Sequence, residues 1–206
     1  MTTVRGRWLL VAAALLAAAG GFWLAHQLDR GSPRLASGTW LPQARHLADF
    51  QLQDIYGRPF TRASLAGAPT LVFFGFTHCP DVCPTTLVKL AQIRKQAGIA
   101  ALRVLFVSVD PQRDTPQAVA HYVHAFEPEF QGVTGDVAAI GALARQFGVA
   151  VNRVELPGGE YTMDHSAVVF LLDAAGRIVA IFTPPFDVAA FASDLRLAAP
   201  SLRAGA

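Results

Sequence analysis

The apolar positions of this chain fall into short, sharply bounded runs whose period switches between strand and helix. Thr70 to Phe76 (TLVFFGF) is continuously apolar and β-rich, the pattern of a central strand buried on both faces. After Pro84, the residues Leu87, Leu90, Ala91 and Ile93 recur at helical spacing, and the run ends near Gly98. Leu102 to Val109 reads as a second buried strand. Pro116 opens a helix that continues to Phe126, and Asp136 to Phe147 forms another, closed by Gly148. Asp49 to Phe60 predicts a hairpin with its turn at Asp54–Gly57. Near the C-terminus, Val168 to Leu172 and Arg177 to Phe182 flank the turn sequence DAAG, a second hairpin, and Asp187 to Ala199 predicts a last helix.

Strand, helix, strand, then hairpin and helix is the element order of a thioredoxin-like α/β sandwich. One run lies outside that scheme. Trp8 to Ala25 holds 18 uncharged residues preceded by Arg5 and Arg7. As a helix it spans roughly 27 Å, enough for a bilayer core, with Trp8 and Trp23 near its two ends. The arginine pair favours a cytoplasmic N-terminus with the rest of the chain exported. A cleaved signal peptide, cut after Ala17–Ala19, is the rival, but apolar residues continue past that site. Either way the remainder is exported. Residues 1–28 therefore read as an anchor and 29–45 as a linker, since GSPRLASGTWLP is rich in Gly, Ser and Pro. Residues 46–200 read as the α/β domain and 201–206 as a tail.

The overall charge of +2 conceals a division along the chain. With the four arginines and one aspartate of residues 1–35 set aside, 13 basic face 14 acidic residues, a net of −1. No basic field remains to hold a polyanion, so nucleic acid is not an expected partner.

The chain has two cysteines, Cys79 and Cys83, in the segment FTHCPDVCPTT between the buried strand and its helix. Ligands and chemistry collect at that strand end in parallel α/β sheets. The helix N-terminus also presents free amides that favour thiolate. Three readings are open. A structural disulfide would close a five-residue loop and contribute only about 2 kcal/mol. A redox pair is feasible, because positions i and i+4 of a helix lie roughly 6 Å apart, near the upper limit for a disulfide. The spacing is C-x-x-x-C, however, where disulfide oxidoreductases usually have C-x-x-C. A metal site is the third: two soft thiolates select copper or zinc but need another ligand.

Of the six histidines, His26 and His46 flank the linker, and His121 and His124 fall on a polar helix face. His78 adjoins Cys79 too closely to share its ion. His165, in YTMDHS just before a buried strand, is the candidate, in the loop such folds bring beside the cysteines. Residue by residue, a structural role for it stays open.

Three separated stretches, FTHCPDVCPTT at Phe76–Thr86, SVDPQRDTP at Ser108–Pro116 and YTMDHS at Tyr161–Ser166, resemble the Sco/SenC family of copper proteins. The resemblance runs from about His46 to Ala199, and a preceding anchor is also family-like. It implies copper ligation by Cys79, Cys83 and His165, one ion per domain, as Cu(I) or Cu(II). It implies a role in assembling the binuclear CuA centre of cytochrome c oxidase subunit II, as copper donor, as reductant of the target cysteines, or both. A periplasmic copper donor and a thioredoxin-like reductant are the further partners expected, and the inner membrane facing the periplasm is the expected site. Asp81 and Asp164 stand beside the ligands as candidate supporting carboxylates. Asp110 and Asp114 are read as turn residues. Asp173 is followed by Ala174 where the family often has proline, which concerns hairpin rigidity alone. The pattern favours a metallochaperone without turnover. A thiol–disulfide reductase is the alternative, and a peroxidase has no support from spacing.

Overall fold

The computed structural model describes residue 8, residues 13–23 and residues 33–203, and the chain divides into two compact units, Met1–Pro33 and Arg34–Ala206. Along the second unit run β1 (Gly38–Arg45), β2 (Gln51–Asp54), β3 (Pro59–Thr61), β4 (Thr70–Gly75), α1 (Val82–Ala97), β5 (Arg103–Ser108) and α2 (Pro116–His124). They are followed by β6 (Gln131–Thr134), α3 (Val137–Phe147), β7 (Val151–Glu155), β8 (Tyr161–His165), β9 (Val169–Leu172), β10 (Ile178–Phe182) and α4 (Val188–Ala198). One sheet has the order β1-β10-β9-β4-β5-β6-β2-β3, and β7 with β8 forms a separate antiparallel ribbon. β4, β5 and β6 are parallel, and β9 lies antiparallel on the other side of β4.

Composition explains why β4 is central. All six of its residues are buried, so both its faces must be covered. Alternation along the strand shows by what. Phe74 meets Phe147 of α3 and Phe170 of β9 edge to face, with ring centroids 5.1 and 6.3 Å away. Phe73 points to the opposite face, against Phe106, whose ring in turn lies 5.6 Å from Tyr122 of α2. α1 covers that same face, because Gly75 backs onto both Phe106 and Cys83. The buried stripe of α1 is Cys83, Leu87, Leu90, Ile93 and Ala97, and the helix packs beside α4. Each leucine so buried stabilises the fold by roughly 1.5–3 kcal/mol.

Helix ends follow local chemistry. Thr115, Asp136 and Asp187 each accept the amide hydrogen three residues on, from Ala118, Ala139 and Ala190. Gly148 closes α3 with φ 74°, a conformation costly for other residues. α1 starts earlier than its proline predicts. Asp81 is its N-cap and Pro84 the third helical residue, where an amide still has no intrahelical partner to lose.

Residues 38–45, read from composition as linker, form β1 on the sheet edge, antiparallel to β10. An edge strand tolerates Pro42, and the register slips between Trp40 and Arg45. Gly38 is required by proximity: a Cβ there would stand 2.4 Å from the Phe182 ring. The buried carboxylate of Asp194 in α4 fastens the approach to β1, accepting from the amides of Ala36 and Ser37 and the Ser37 hydroxyl at 2.7–2.8 Å. Of the predicted membrane span, residues 13–23 are helical, while residues 9–12 and 24–25 lie outside the described residues, as does His26. Among the described residues, no helix is long and apolar enough to cross a membrane.

Candidate metal centre

Beyond β4 the chain turns at Phe76, whose carbonyl accepts the Cys79 amide at 3.3 Å, before α1 begins. Cys79 therefore sits in the turn and only Cys83 in the helix, so the helical i, i+4 geometry assumed from sequence does not apply. Both thiols are free; Cys79 is half-buried and Cys83 wholly buried. The Cys83 amide, one of the free donors of the first helical turn, donates to Cys79 Sγ at 3.3 Å. Beneath them lies Gly75, where an added Cβ would stand 2.6 Å from the Phe106 ring and 3.1 Å from Cys83 Sγ. Gly75→Ala is therefore expected to lower stability by about 1–3 kcal/mol through overpacking, read as a lower urea midpoint at unchanged slope.

His165 is not in a loop. It ends β8, paired with Val151 of β7. Its Nε2 lies 3.4 Å from Cys83 Sγ, and its Nδ1 lies 3.3 Å from the Ser166 carbonyl. A carbonyl only accepts, so Nδ1 carries the proton and the Nε2 lone pair faces the Cys83 sulfur. Phe73 and Phe76 present ring contacts to the imidazole at 6.2 and 5.9 Å between centroids. Burial pushes the pKa of His165 down, against the smaller opposing pull of the Ser166 carbonyl and Asp164. Burial also pushes the Cys83 thiol up, reinforced by the Cys79 side chain. At neutral pH the pair is an uncharged S–H donating to an uncharged ring nitrogen.

The remaining candidates are less involved. Asp81 occupies the N-cap position of α1 without a side-chain capping bond, and its carboxylate accepts from the Thr85 hydroxyl at 3.3 Å. Asp164 is exposed; the group that accepts the His165 Nδ1 proton is the Ser166 carbonyl instead. His46, His121 and His124 are exposed, and His78 Nδ1 lies 2.9 Å from the Thr77 hydroxyl. Among the described residues, no three His, Cys, Asp or Glu side chains form a group able to hold a metal ion. Two of the three predicted donors, Cys83 and His165, are in contact, and Cys79 stands on the adjoining turn. The donor chemistry nevertheless fits a soft ion. A nitrogen and a sulfur bound to one metal at about 2.1 and 2.3 Å stand roughly 3.5 Å apart at a tetrahedral angle, close to the separation seen here.

The SCO1/SenC family profile matches residues 40–199. The chain belongs to that family. SCO1 homolog 1 of Arabidopsis thaliana mitochondria is 39% identical to this SCO1/SenC protein over 165 residues, covering 78% of this chain and 49% of the relative. The chain spans about half to two thirds of the length of the curated relatives it matches. Among solved structures, Bradyrhizobium japonicum ScoI with copper bound is 40% identical with a TM-score of 0.66, covering 72% of this chain and 96% of that one. Arabidopsis thaliana ScoI with copper bound is 33% identical with a TM-score of 0.72, covering 75% and 98%. These neighbours carry the thioredoxin-like α/β fold that the element order predicts. Sequence reasoning missed that YTMDH is a strand. Its alternation, with Tyr161, Met163 and His165 on one side, was the available signal.

Proposed function

We propose that this SCO1/SenC protein is a copper metallochaperone, tethered to the inner membrane by residues 8–25, that helps to assemble the CuA centre of cytochrome c oxidase subunit II. The observation that carries the reading is the approach of the His165 Nε2 lone pair to Cys83 Sγ at 3.4 Å, with Cys79 Sγ accepting the Cys83 amide at 3.3 Å. Relatives of the same fold were solved with copper bound. Cys79, Cys83 and His165 would hold the ion, the two sulfurs as thiolates and the imidazole through Nε2. Two thiolates and an imidazole suit Cu(I) and also accept Cu(II). Both thiols lose their protons on loading, so the site takes copper only when reduced. The arginine pair before the apolar run supports a domain on the exported side.

Titrating Cu(I) anaerobically into the full chain in detergent should load one equivalent when the cysteines are reduced and none after oxidation to a Cys79–Cys83 disulfide. A reduced chain that takes up no copper ends the reading. The contrast between a half-buried Cys79 and a wholly buried Cys83 favours a second role as reductant. Cys79 thiolate would attack a target disulfide, releasing one target thiol. Cys83 would then displace the second and leave the pair oxidised by two electrons. Cys79→Ser should abolish that reaction.

A further inference from the structure

The Ser108–Pro116 loop, whose aspartates the sequence offers only as turn residues, touches the two segments that carry the donors, at Thr77 and at Tyr161. On one side the wholly buried Asp114 accepts from the Thr77 amide at 3.0 Å, and from the Thr77 and Ser108 hydroxyls at 2.6 Å each. Thr77 is two residues before Cys79. On the other side, Tyr161 is held in three ways. Its hydroxyl donates to the buried Asp110 at 2.8 Å, and its carbonyl accepts from Arg113 Nη1 at 3.1 Å. Its ring lies between two guanidinium groups, those of Arg113 at 3.8 Å and Arg153 at 3.7 Å from the centroid. Arg113 also pairs with Asp110, and Arg153 donates to Gln112 at 2.8 Å, so both cations are themselves fixed to the loop.

The ribbon of β7 and β8 shares no ladder with the main sheet. A lone two-stranded ribbon is marginal in water. Val151 and Met163 pack against the core but supply no hydrogen bond to direct it. Tyr161 and His165 lie on one side of β8, about 13 Å apart along the strand. Fixing the Tyr161 end therefore fixes the rotation of β8 about its own axis, and with it the direction in which the imidazole points.

We propose that the Ser108–Pro116 loop is a clamp joining the two halves of the site, and that Tyr161 is the positioning residue that sets His165 against Cys83. The inference rests on the copper reading above, and its test separates the two. In Tyr161→Phe the ring stays between its arginines but the hydroxyl is lost; in Tyr161→Leu both are lost. Cu(I) affinity, measured on the full chain in detergent by competition with a chromophoric chelator, should fall in that order, by roughly tenfold or more for Tyr161→Leu. Electron paramagnetic resonance of the Cu(II) form should show weakened nitrogen coupling from His165. In the metal-free chain, proton contacts between the His165 ring and Phe73 should fade in the same order. Arg153→Ala, which removes one face of the sandwich from a half-exposed site, should act in the same direction if Tyr161→Leu fails to fold.

If the variants match wild type in affinity, nitrogen coupling and ring contacts while His165→Ala binds copper weakly, the clamp is overturned and the copper reading stands. If His165→Ala binds copper as wild type does, the copper reading fails. The metal-free ring contacts then still decide the clamp: lost in Tyr161→Leu they support it, retained they overturn it.

Discussion

Replacing His165 with alanine is expected to weaken Cu(I) binding by on the order of 100-fold or more, while leaving two titratable thiols in the reduced chain. Loss of a group that merely supports a ligand typically lowers metal affinity 10–100-fold, and removing a donor itself should cost no less. The geometry makes the assignment specific. The Nε2 lone pair faces Cys83 Sγ, and the proton on Nδ1 is committed to the Ser166 carbonyl. No ring flip that keeps that bond offers the metal a different nitrogen. The same variant separates the two proposed roles. Reduction of an oxidised target needs only the two sulfurs, so His165→Ala should retain it while copper binding collapses. An affinity equal to wild type would take His165 out of the donor set.

Asp114→Ala is expected to lower stability by about 3 kcal/mol, because the wholly buried carboxylate satisfies three donors. The Thr77 and Ser108 hydroxyls can rotate toward other acceptors, but the Thr77 amide cannot. For a domain of this size that loss corresponds to a melting temperature lower by roughly 6–12 °C. Asp114→Asn keeps the shape and one acceptor oxygen, so its urea midpoint should fall between alanine and wild type. A midpoint for Asp114→Ala equal to wild type would mean that the loop does not depend on this residue.

The fold was legible where side-chain chemistry alone dictates backbone. The continuous apolar run at Thr70–Phe76 marked the central strand, Pro116, Asp136 and Asp187 marked helix starts, and Asp173 to Gly176 marked the tight hairpin. It was not legible where partners decide. β1 carries Gly38 and Pro42, residues typical of a linker, and becomes a strand only because β10 offers it an edge. The YTMDH segment has a strand's alternation, but its partner, β7, is polar and exposed along most of its length, so no apolar pattern announced the ribbon. Asp110 and Asp114 read locally as turn formers, and they do close a turn: the Asp110 carbonyl accepts the Arg113 and Asp114 amides. Their carboxylates meanwhile reach Tyr161 and Thr77, contacts that sequence distance hides.

By itself, then, the sequence determined the chemical types available: two sulfurs at one strand end and an imidazole in a later segment, all of a kind that suits a soft ion. Local spacing is enough for that, because donor identity is a property of each side chain. Only the tertiary structure decided which of them meet, which nitrogen of His165 is free, and that Cys79 lies outside the helix holding Cys83. Those outcomes depend on burial against Phe73 and Phe76 and on a ribbon held across the chain by a tyrosine between two arginines. Such long-range contacts are fixed by packing, which no local pattern encodes.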